Sequence, residues 1–428
     1  MRRIEYLDSV RGLAAFAVVI YHFTGWRWAE TMEFKLGAIV FNGADAVSLF
    51  FVLSGLVLSW KYFHPDESLA INAAHYRPYV INRVVRLYLP FLAALTVYYV
   101  YGHRHDPLRQ LVTEFLKNTY HWFEEALLVR GKHDIYGPGW TLEVEMAASL
   151  FVPFLALLLR HSRQLFVGLM LAVLFIGSGL IFWGIQHFCL GMLLAYFFRQ
   201  IEAYDMRQAS WYRYRYLVYI AVLALFSIRH ITRIYPIGDI GNYWMGIFRL
   251  DLFHFTGLAS ALMLAFIINR PQLQRWLTVR PLLFLGRISY SVYLVHWFFV
   301  AYVMDHWNKL TVHLPGPTQS FWGMLGLTVV STLLTATVFN VLVERPAIRL
   351  GRKLSDRLTP ELCASSTLLN SAPLWTTPTT PNSTANISAP LPKTLRPFLI
   401  RSAKRPPRSA SGTFQSTPFL FLLAKRCR

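Results

Sequence analysis

The chain has 428 residues, of which 55% are hydrophobic, 16% aromatic and 15% charged, and its formal net charge is +20. Soluble domains usually carry about 25% charged residues, so this composition excludes an ordinary water-soluble domain and favours a membrane protein with several spans. The basic residues separate apolar runs and do not form one soluble basic face. This pattern argues against nucleic-acid binding and is typical of the cytoplasmic loops of membrane proteins.

Two further compositional features narrow the class of protein. The three cysteines, Cys189, Cys363 and Cys427, lie far apart in the sequence, so we expect neither a disulfide framework nor a metal site. The first apolar run contains Asp8 and Arg11 and lacks a small-residue cleavage site. It therefore predicts a retained first span and not a cleaved signal peptide.

Apolar runs of about 20 residues recur along the chain and predict an all-α, polytopic transmembrane bundle of about ten helices. Basic residues are more frequent in the segments predicted to lie on the same side of the membrane as the N-terminus. Because cytoplasmic segments are enriched in Lys and Arg, and the predicted number of spans is even, we expect both chain ends in the cytoplasm. The predicted spans are 7–26, 42–61, 79–101, 138–159, 164–183, 184–199, 213–230, 248–269, 282–304 and 320–343.

The character of the sequence changes after the last predicted span. Residues 351–428 are basic, rich in Pro, Ser and Thr, and lack apolar periodicity. We therefore expect a membrane domain over residues 1–350 and a disordered C-terminal tail over residues 351–428.

Ionisable residues within spans are costly in lipid and therefore mark functional candidates. In the first span, Arg11 and His22 are eleven residues apart, which places them within about 20° of one helix face, close to Asp8. We expect Arg11 near the cytoplasmic surface and His22 in the outer half of the membrane. The alternative for His22 is a structural hydrogen bond to a neighbouring helix.

The second and third spans add small and basic residues. Gly55 in the segment FFVLSG indicates close helix packing, whereas Ser54 is equally suited to packing and to lining a cavity. Arg83 and Arg86 share one helix face at the cytoplasmic end of the third span. They suit a phosphate-rich ligand, and anchoring to lipid phosphates is the alternative.

The fourth span begins with Glu143 and Glu145 on the outer side. Glu145 and His22 are predicted at similar depth, so we expect a pair in which the carboxylate orients the imidazole for general base chemistry. The spacing alone does not decide which glutamate faces inward.

The ninth span places Ser289, Tyr293 and His296 on one face, either in a pocket or in an interfacial aromatic belt. The eighth span begins with Arg249, Asp251 and His254, which is a weaker signal because charges next to membranes are common.

Six segments resemble, in order and spacing, the membrane-bound acyltransferase-3 family through about residue 350. They are LDSVRGLAAFAVVIYH, FFVLSG, the RVVR pair, GWTLEVE, LGRISYSVYLVHW and ERPAIR.

The resemblance implies a bundle of about ten transmembrane helices that O-acylates sugars, polysaccharides, antibiotics or lipids. It also assigns roles to matching positions. It implies that His22 is catalytic with Arg11 as its motif partner, that Arg83 and Arg86 bind the acyl donor, and that Glu145 is essential. Ser54, Tyr293 and His296 match motif positions and are possible pocket residues.

The function predicted from these features is transfer of an acyl group, with acetyl as the default, from acyl-CoA to a hydroxyl of a sugar, polysaccharide or lipid-linked acceptor. His22 is expected to act as a base or as a transient acyl carrier. Acyl-CoA is the donor substrate, no bound cofactor or metal is expected, and the site of action is a bacterial plasma membrane. The alternatives are a proton-coupled secondary transporter and a non-catalytic membrane assembly partner.

Overall fold

The computed structural model describes residues 4–28, 32–63, 73–102, 123, 125–128, 135–176, 180–234 and 252–370. Helices make up the regular structure of this part of the chain and no strand occurs in it, which confirms the all-α class. The helices of the first half are α1 Glu5–Trp28, α2 Met32–Val40, α3 Gly43–Phe63, α4 Ala73–Gly102, α5 Gly139–His161, α6 Arg163–Ile176, α7 Leu180–Tyr196 and α8 Phe198–Ala203.

Two short 3₁₀ turns, Met206–Gln208 and Ser210–Tyr214, lead into the second half. The helices there are α9 Arg215–Phe226, α10 Ile228–Ile234, α11 Leu252–Asn269, α12 Pro271–Leu277, α13 Arg280–Asp305, α14 Trp307–Thr311, α15 Pro317–Phe339 and α16 Arg345–Asn370, with a π-helical turn over Asn340–Glu344.

Six helical stretches of the described residues are long and apolar enough to cross a membrane, so the predicted count of about ten is not confirmed. They are Phe34–Phe63, His75–Gly102, Gly139–His161, Leu252–Asn269, Arg280–Asp305 and Pro317–Leu358.

The other four predicted spans overlap helices that are too short to cross a membrane, divided in two, or charged in their first half. The apolar helices Arg163–Val173 and Gly184–Tyr196 are shorter than the roughly 20 residues that a span needs. The predicted span 213–230 is divided between α9 and α10, where the hydroxyl of the buried Ser227 donates to the carbonyl of Ile39 at 3.0 Å. The first helix, α1, is long enough at 24 residues but carries charged residues in its first half.

The bundle is organised around α1 and α3. The most extensive contacts of α1 are with α13, and those of α3 are with α7. A Cβ atom at Gly12 of α1 would lie 2.6 Å from the backbone nitrogen of Gly286 in α13, so these two helices touch backbone to backbone. Gly55 of α3 meets the backbone of Phe188 in α7 in the same way, which confirms its predicted packing role.

This packing turns the polar faces of several helices toward one another. The apolar side chains Leu53 and Leu56 of α3 are fully buried between α1 and α7. The faces of α1, α3, α4, α5 and α13 that carry the predicted site residues enclose a shared interior.

The C-terminal region departs from its predicted boundary. The last helix, α16, reaches Asn370, so helix continues beyond residue 351, at which the disordered tail was predicted to begin. The chain divides into a first unit, Met1–Thr359, which holds every site residue discussed below, and a second unit, Pro360–Arg428. Residues 371–428 lie outside the described part, and their disorder stays a prediction.

Gly55→Ala should destabilise the bundle by about 1–3 kcal/mol, because the added methyl group overlaps the Phe188 backbone and forces α3 and α7 apart. Gly326→Ala is the matched control, since no atom lies within 4 Å of its added methyl group. Thermal unfolding in detergent should show a lower midpoint for the first variant only. Equal midpoints would contradict the close approach of α3 and α7.

Candidate active site

A cavity of about 580 Å³ lies within the bundle, between α1, α3, α4, α5, α13 and the start of α16. Most of the site residues predicted from the sequence line it. These residues are Arg11, Ser54, Arg83, Arg86, Glu145, Ser289 and Tyr293. His22 and His296 are not among its lining residues, so the structure separates the predicted catalytic histidine from the cavity.

Glu145 is the central acid of the cavity. Arg83 donates to its Oε1 atom at 2.5 Å, and the Ser54 hydroxyl donates to the same atom at 3.1 Å. The Arg83 side chain is only 8% exposed, so this ion pair is largely buried. Glu145 therefore faces the cavity, whereas Glu143 does not line it. Ser54 lines this cavity, which is one of the two roles considered for it.

His22 has a different partner from the one predicted. Its Nδ1 atom lies 3.0 Å from Nε2 of His296, and the two rings stack with centroids 5.2 Å apart. The hydrogen bonds of Glu145 go to Arg83 and Ser54, so the expected pair of His22 with Glu145 is wrong.

The register of α1 against α13 explains why His22 pairs with His296. The first helix packs mainly against α13, and His22 follows Gly12 by ten residues, as His296 follows Gly286. Two parallel helices in contact at the glycines are therefore in contact again about 15 Å further along, where both histidines lie.

The hydrogen bonds of the histidine pair fix its tautomers. Nδ1 of His296 lies 2.6 Å from the carbonyl oxygen of Tyr293, and a carbonyl oxygen can only accept. His296 therefore carries its hydrogen on Nδ1 and accepts at Nε2, so that Nδ1 of His22 is the donor between the rings. This leaves a lone pair on Nε2 of His22, to which no described residue donates a hydrogen bond. That nitrogen has the state required of a general base.

Two tryptophans that do not line the cavity lie beside the histidine pair. Trp297 meets His22 edge to face at 5.1 Å, and Trp26, 46% exposed, lies 5.5 Å from Trp297. His296 is fully buried and Tyr293 is 7% exposed. An interfacial belt is therefore the wrong interpretation for these two residues, since both lie inside the bundle.

Tyr293 stands between the cavity and the histidine pair. It lines the cavity, and its ring centroid lies 5.5 Å from that of His296. Its hydroxyl lies 2.7 Å from Oγ1 of Thr141 and 3.2 Å from the carbonyl oxygen of Pro138. The predicted shared face of Ser289, Tyr293 and His296 is thus present, with the first two on the cavity and the third beyond it.

The cavity is rich in arginine. Arg86 is exposed to it, while Arg83 is committed to Glu145, so the predicted arginine pair has two different environments. Arg11 lies 3.6 Å from Asp8, which also lines the cavity. Three further arginines that the sequence analysis did not select complete this cationic wall: Arg287, Arg345 and Arg352.

Glu344 is a second buried acid that the sequence analysis missed. Its Oε2 atom accepts hydrogen bonds from Ser291 at 2.6 Å and from Asn340 at 2.7 Å, within the π-helical turn after α15. Such turns are frequent at functional sites. The available signal was an acidic residue at the membrane end of the last predicted span, directly before Arg345.

The weaker candidates of the eighth span lie elsewhere. His254 is buried beside Gln186 in α7 and does not line the cavity. Arg249 and Asp251 lie outside the described residues. Within the described ranges, no group of three or more His, Cys, Asp or Glu residues is arranged to hold a metal ion.

Comparison with models of known protein families gives a match. The model of a protein family described as "Acyltransferase domain" matches residues 4–340, which is more than three quarters of the chain. No curated protein and no solved structure matches the chain significantly.

Glu145→Gln should destabilise the protein by about 3 kcal/mol, because it leaves the buried guanidinium of Arg83 without a carboxylate. Asp356→Asn, on the exposed side of α16, is the control and should change stability by less than about 0.5 kcal/mol. Unfolding midpoints in detergent measure both. If Arg83→Met combined with Glu145→Met is no more stable than the sum of the single changes predicts, the ion pair is not the cause.

Proposed function

The chain belongs to the acyltransferase family whose domain matches residues 4–340, and from that premise we propose that it transfers an acyl group from acyl-CoA to a hydroxyl of a carbohydrate or lipid-linked acceptor. Six helices of spanning length among the described residues support an integral membrane enzyme. The arrangement that best supports the proposal is an arginine-lined cavity that ends, at Tyr293, next to a histidine pair with a basic nitrogen on His22.

The donor occupies the cavity. Arginine binds phosphate with paired, charge-assisted hydrogen bonds, and Arg86, Arg345 and Arg352 supply guanidinium groups for the phosphates of coenzyme A. The acyl end lies toward Tyr293, whose ring is 5.9 Å from that of Phe50. These two large side chains leave room for a short acyl group, and we propose acetyl.

The acceptor lies on the side of the histidine pair. Nε2 of His22 removes the proton of the acceptor hydroxyl, whose oxygen then attacks the thioester carbonyl carbon. The new C–O bond forms, the C–S bond breaks, and the thiolate of coenzyme A takes up the proton from His22. In the alternative, Nε2 of His22 attacks the thioester carbon and the C–S bond breaks, so that the acyl group is held by a new N–C bond. The acceptor oxygen then attacks this carbon, the N–C bond breaks, and the acceptor proton passes to the thiolate.

The supporting residues take roles that differ from those first expected. His296 orients His22 through the hydrogen bond between the rings, as a carboxylate would orient a catalytic imidazole. Glu145 holds Arg83 and Ser54 in the wall of the donor cavity. Arg11, on α1 with His22, adds positive charge near the donor.

The membrane orientation of this reaction follows from charge. The arginine-rich end of the cavity suits the cytoplasm, where acyl-CoA is found and where loops of membrane proteins are basic. The N-terminus then lies in the cytoplasm, and the histidine pair lies toward the outer face of a bacterial plasma membrane. Membership of an acyltransferase family argues against the proton-coupled transporter.

His22→Ala should abolish acceptor-dependent release of free thiol from acetyl-CoA by the purified protein, since no base remains for the acceptor hydroxyl. His296→Ala should lower kcat by about 10²–10⁴-fold with an unchanged KM for the donor, because it releases the orientation of His22. His313→Ala, an exposed histidine outside the site, is the control and should keep full activity. Wild-type activity in His22→Ala would sink the proposal.

Arg352→Gln should raise the KM for acetyl-CoA about tenfold, because one charge-assisted phosphate contact is worth roughly 1.4 kcal/mol or more. Arg349→Gln is the matched control, since Arg349 is exposed on the same helix but does not line the cavity. Steady-state kinetics at two salt concentrations measure the effect, and added salt should reduce the difference between the wild type and Arg352→Gln. Equal KM values for the two variants would show that α16 does not contribute to binding of the donor.

A further inference from the structure

We propose that Tyr293 is a further catalytic residue, whose hydroxyl donates a hydrogen bond to the thioester carbonyl oxygen of the donor during acyl transfer. This inference rests on the proposed function and adds to it the group that stabilises the developing oxyanion.

The position of Tyr293 is the first reason. Tyr293 and Thr141 line the donor cavity, whereas His22 and His296 do not. The Tyr293 ring contacts Phe50 on one side and His296 on the other, with centroid distances of 5.9 Å and 5.5 Å. A carbonyl group that travels from the cavity toward His22 therefore meets Tyr293 first.

The hydrogen bonds of its hydroxyl are the second reason. The hydroxyl has one hydrogen and two oxygens nearby, Oγ1 of Thr141 at 2.7 Å and the carbonyl oxygen of Pro138 at 3.2 Å. Thr141 also donates from Oγ1 to that carbonyl at 3.0 Å. When Tyr293 turns its hydrogen to a ligand, Pro138 keeps the Thr141 donor and Thr141 keeps the bond that it donates, so each of the two oxygens retains one hydrogen bond.

The other hydroxyl groups of the cavity already have acceptors. The Ser54 hydroxyl donates to Glu145 at 3.1 Å, the Ser289 hydroxyl donates to the carbonyl of Gly286 within its own helix at 2.9 Å, and the Tyr290 hydroxyl donates to the carbonyl of Leu87 at 2.7 Å. Redirecting the Ser54 hydrogen would take a donor from a carboxylate, which costs more than taking one from a neutral hydroxyl. Tyr293 is therefore the hydroxyl donor that a ligand can recruit at the lowest cost.

The backbone of Tyr293 is held firmly by the same network that orients the base. Its carbonyl oxygen accepts from Nδ1 of His296 at 2.6 Å and from the hydroxyl of the buried Tyr136 at 3.2 Å. One residue thus fixes the tautomer of the histidine pair with its carbonyl and presents a hydroxyl to the donor. The base and the oxyanion donor are preorganised on one rigid helix, α13.

The chemical step requires no proton transfer from Tyr293. As the acceptor oxygen bonds to the thioester carbon, negative charge moves to the carbonyl oxygen, and the neutral phenol hydrogen bond stabilises it. The tetrahedral intermediate then collapses, the C–S bond breaks, and the thiolate leaves with the proton from His22. The hydroxyl returns to Thr141 when the product departs.

The decisive comparison is between Tyr293→Phe and Tyr302→Phe in the full-length protein, with acetyl-CoA and a sugar acceptor. Tyr293→Phe should lower kcat by about 100-fold or more and raise the KM for acetyl-CoA only several-fold, because the neutral carbonyl accepts a weaker hydrogen bond than the oxyanion. Tyr302→Phe removes a partly exposed hydroxyl from the same helix outside the cavity and should stay within about threefold of wild type. Equal losses of kcat in the two variants would show that the effect does not come from the position of the Tyr293 hydroxyl and would overturn the proposal.

Binding of two unreactive donor analogues gives a readout that does not depend on turnover. One analogue is the ketone in which CH₂ separates sulfur from the acetyl carbonyl, and the other is S-ethyl-CoA, which has no carbonyl. Tyr293→Phe should weaken binding of the ketone several-fold and leave S-ethyl-CoA unchanged, which also shows that the variant is folded. Unchanged binding of the ketone would overturn the inference, whereas wild-type protein without His22-dependent thiol release would overturn the proposed function itself.

Discussion

The backbones of α1 and α13 approach each other at Gly12 and Gly286, closer than any side chain would permit. Inside a bilayer, helices gain little from the hydrophobic effect and associate through close packing and hydrogen bonds between small and polar residues. This contact fixes the relative height of the two helices. His22 and His296, ten residues beyond the glycines, consequently share one level and pair across the helix interface.

The rest of the site depends on the shared height of His22 and His296 along their two helices. The carbonyl of Tyr293, one turn before His296, fixes the tautomer of both histidines and leaves the lone pair on His22. On the other side of Tyr293, the ion pair of Arg83 and Glu145 keeps two charges in the wall of the cavity at a tolerable cost, because each neutralises the other. A basic nitrogen and an arginine-rich cavity thus meet at one tyrosine ring.

The sequence predicts where helices occur, but it does not predict which helices pack against each other. A period of 3.6 residues gives the face of each side chain, and the order of spans gives an approximate depth, which is why most of the selected residues do line the cavity. Neither quantity says which helix lies opposite. His22 and Glu145 were expected to meet because their depths agreed, but α13 lies against α1 and supplies His296 instead.

Other differences have similar physical causes. Arg345 and Arg352 follow the last predicted span, where basic residues are ordinary, and only the π-helical turn over Asn340–Glu344 followed by α16 brings them to the cavity. The division between α9 and α10 coincides with a hydrogen bond from Ser227 to the distant Ile39, which composition does not reveal. The residue types alone indicate which side chains are candidates for the site. The contacts that each of these side chains makes are known only from the packed structure.

In the mechanism that we propose, donor and acceptor reach Tyr293 from opposite faces of the membrane. The most direct test uses protein of known orientation in sealed liposomes, with acetyl-CoA and an impermeant sugar acceptor on chosen sides. We expect thiol release when acetyl-CoA is on the side of Arg352 and the acceptor is on the side of Trp26, and none when the two are exchanged. Release that requires both substrates on the same side would contradict it.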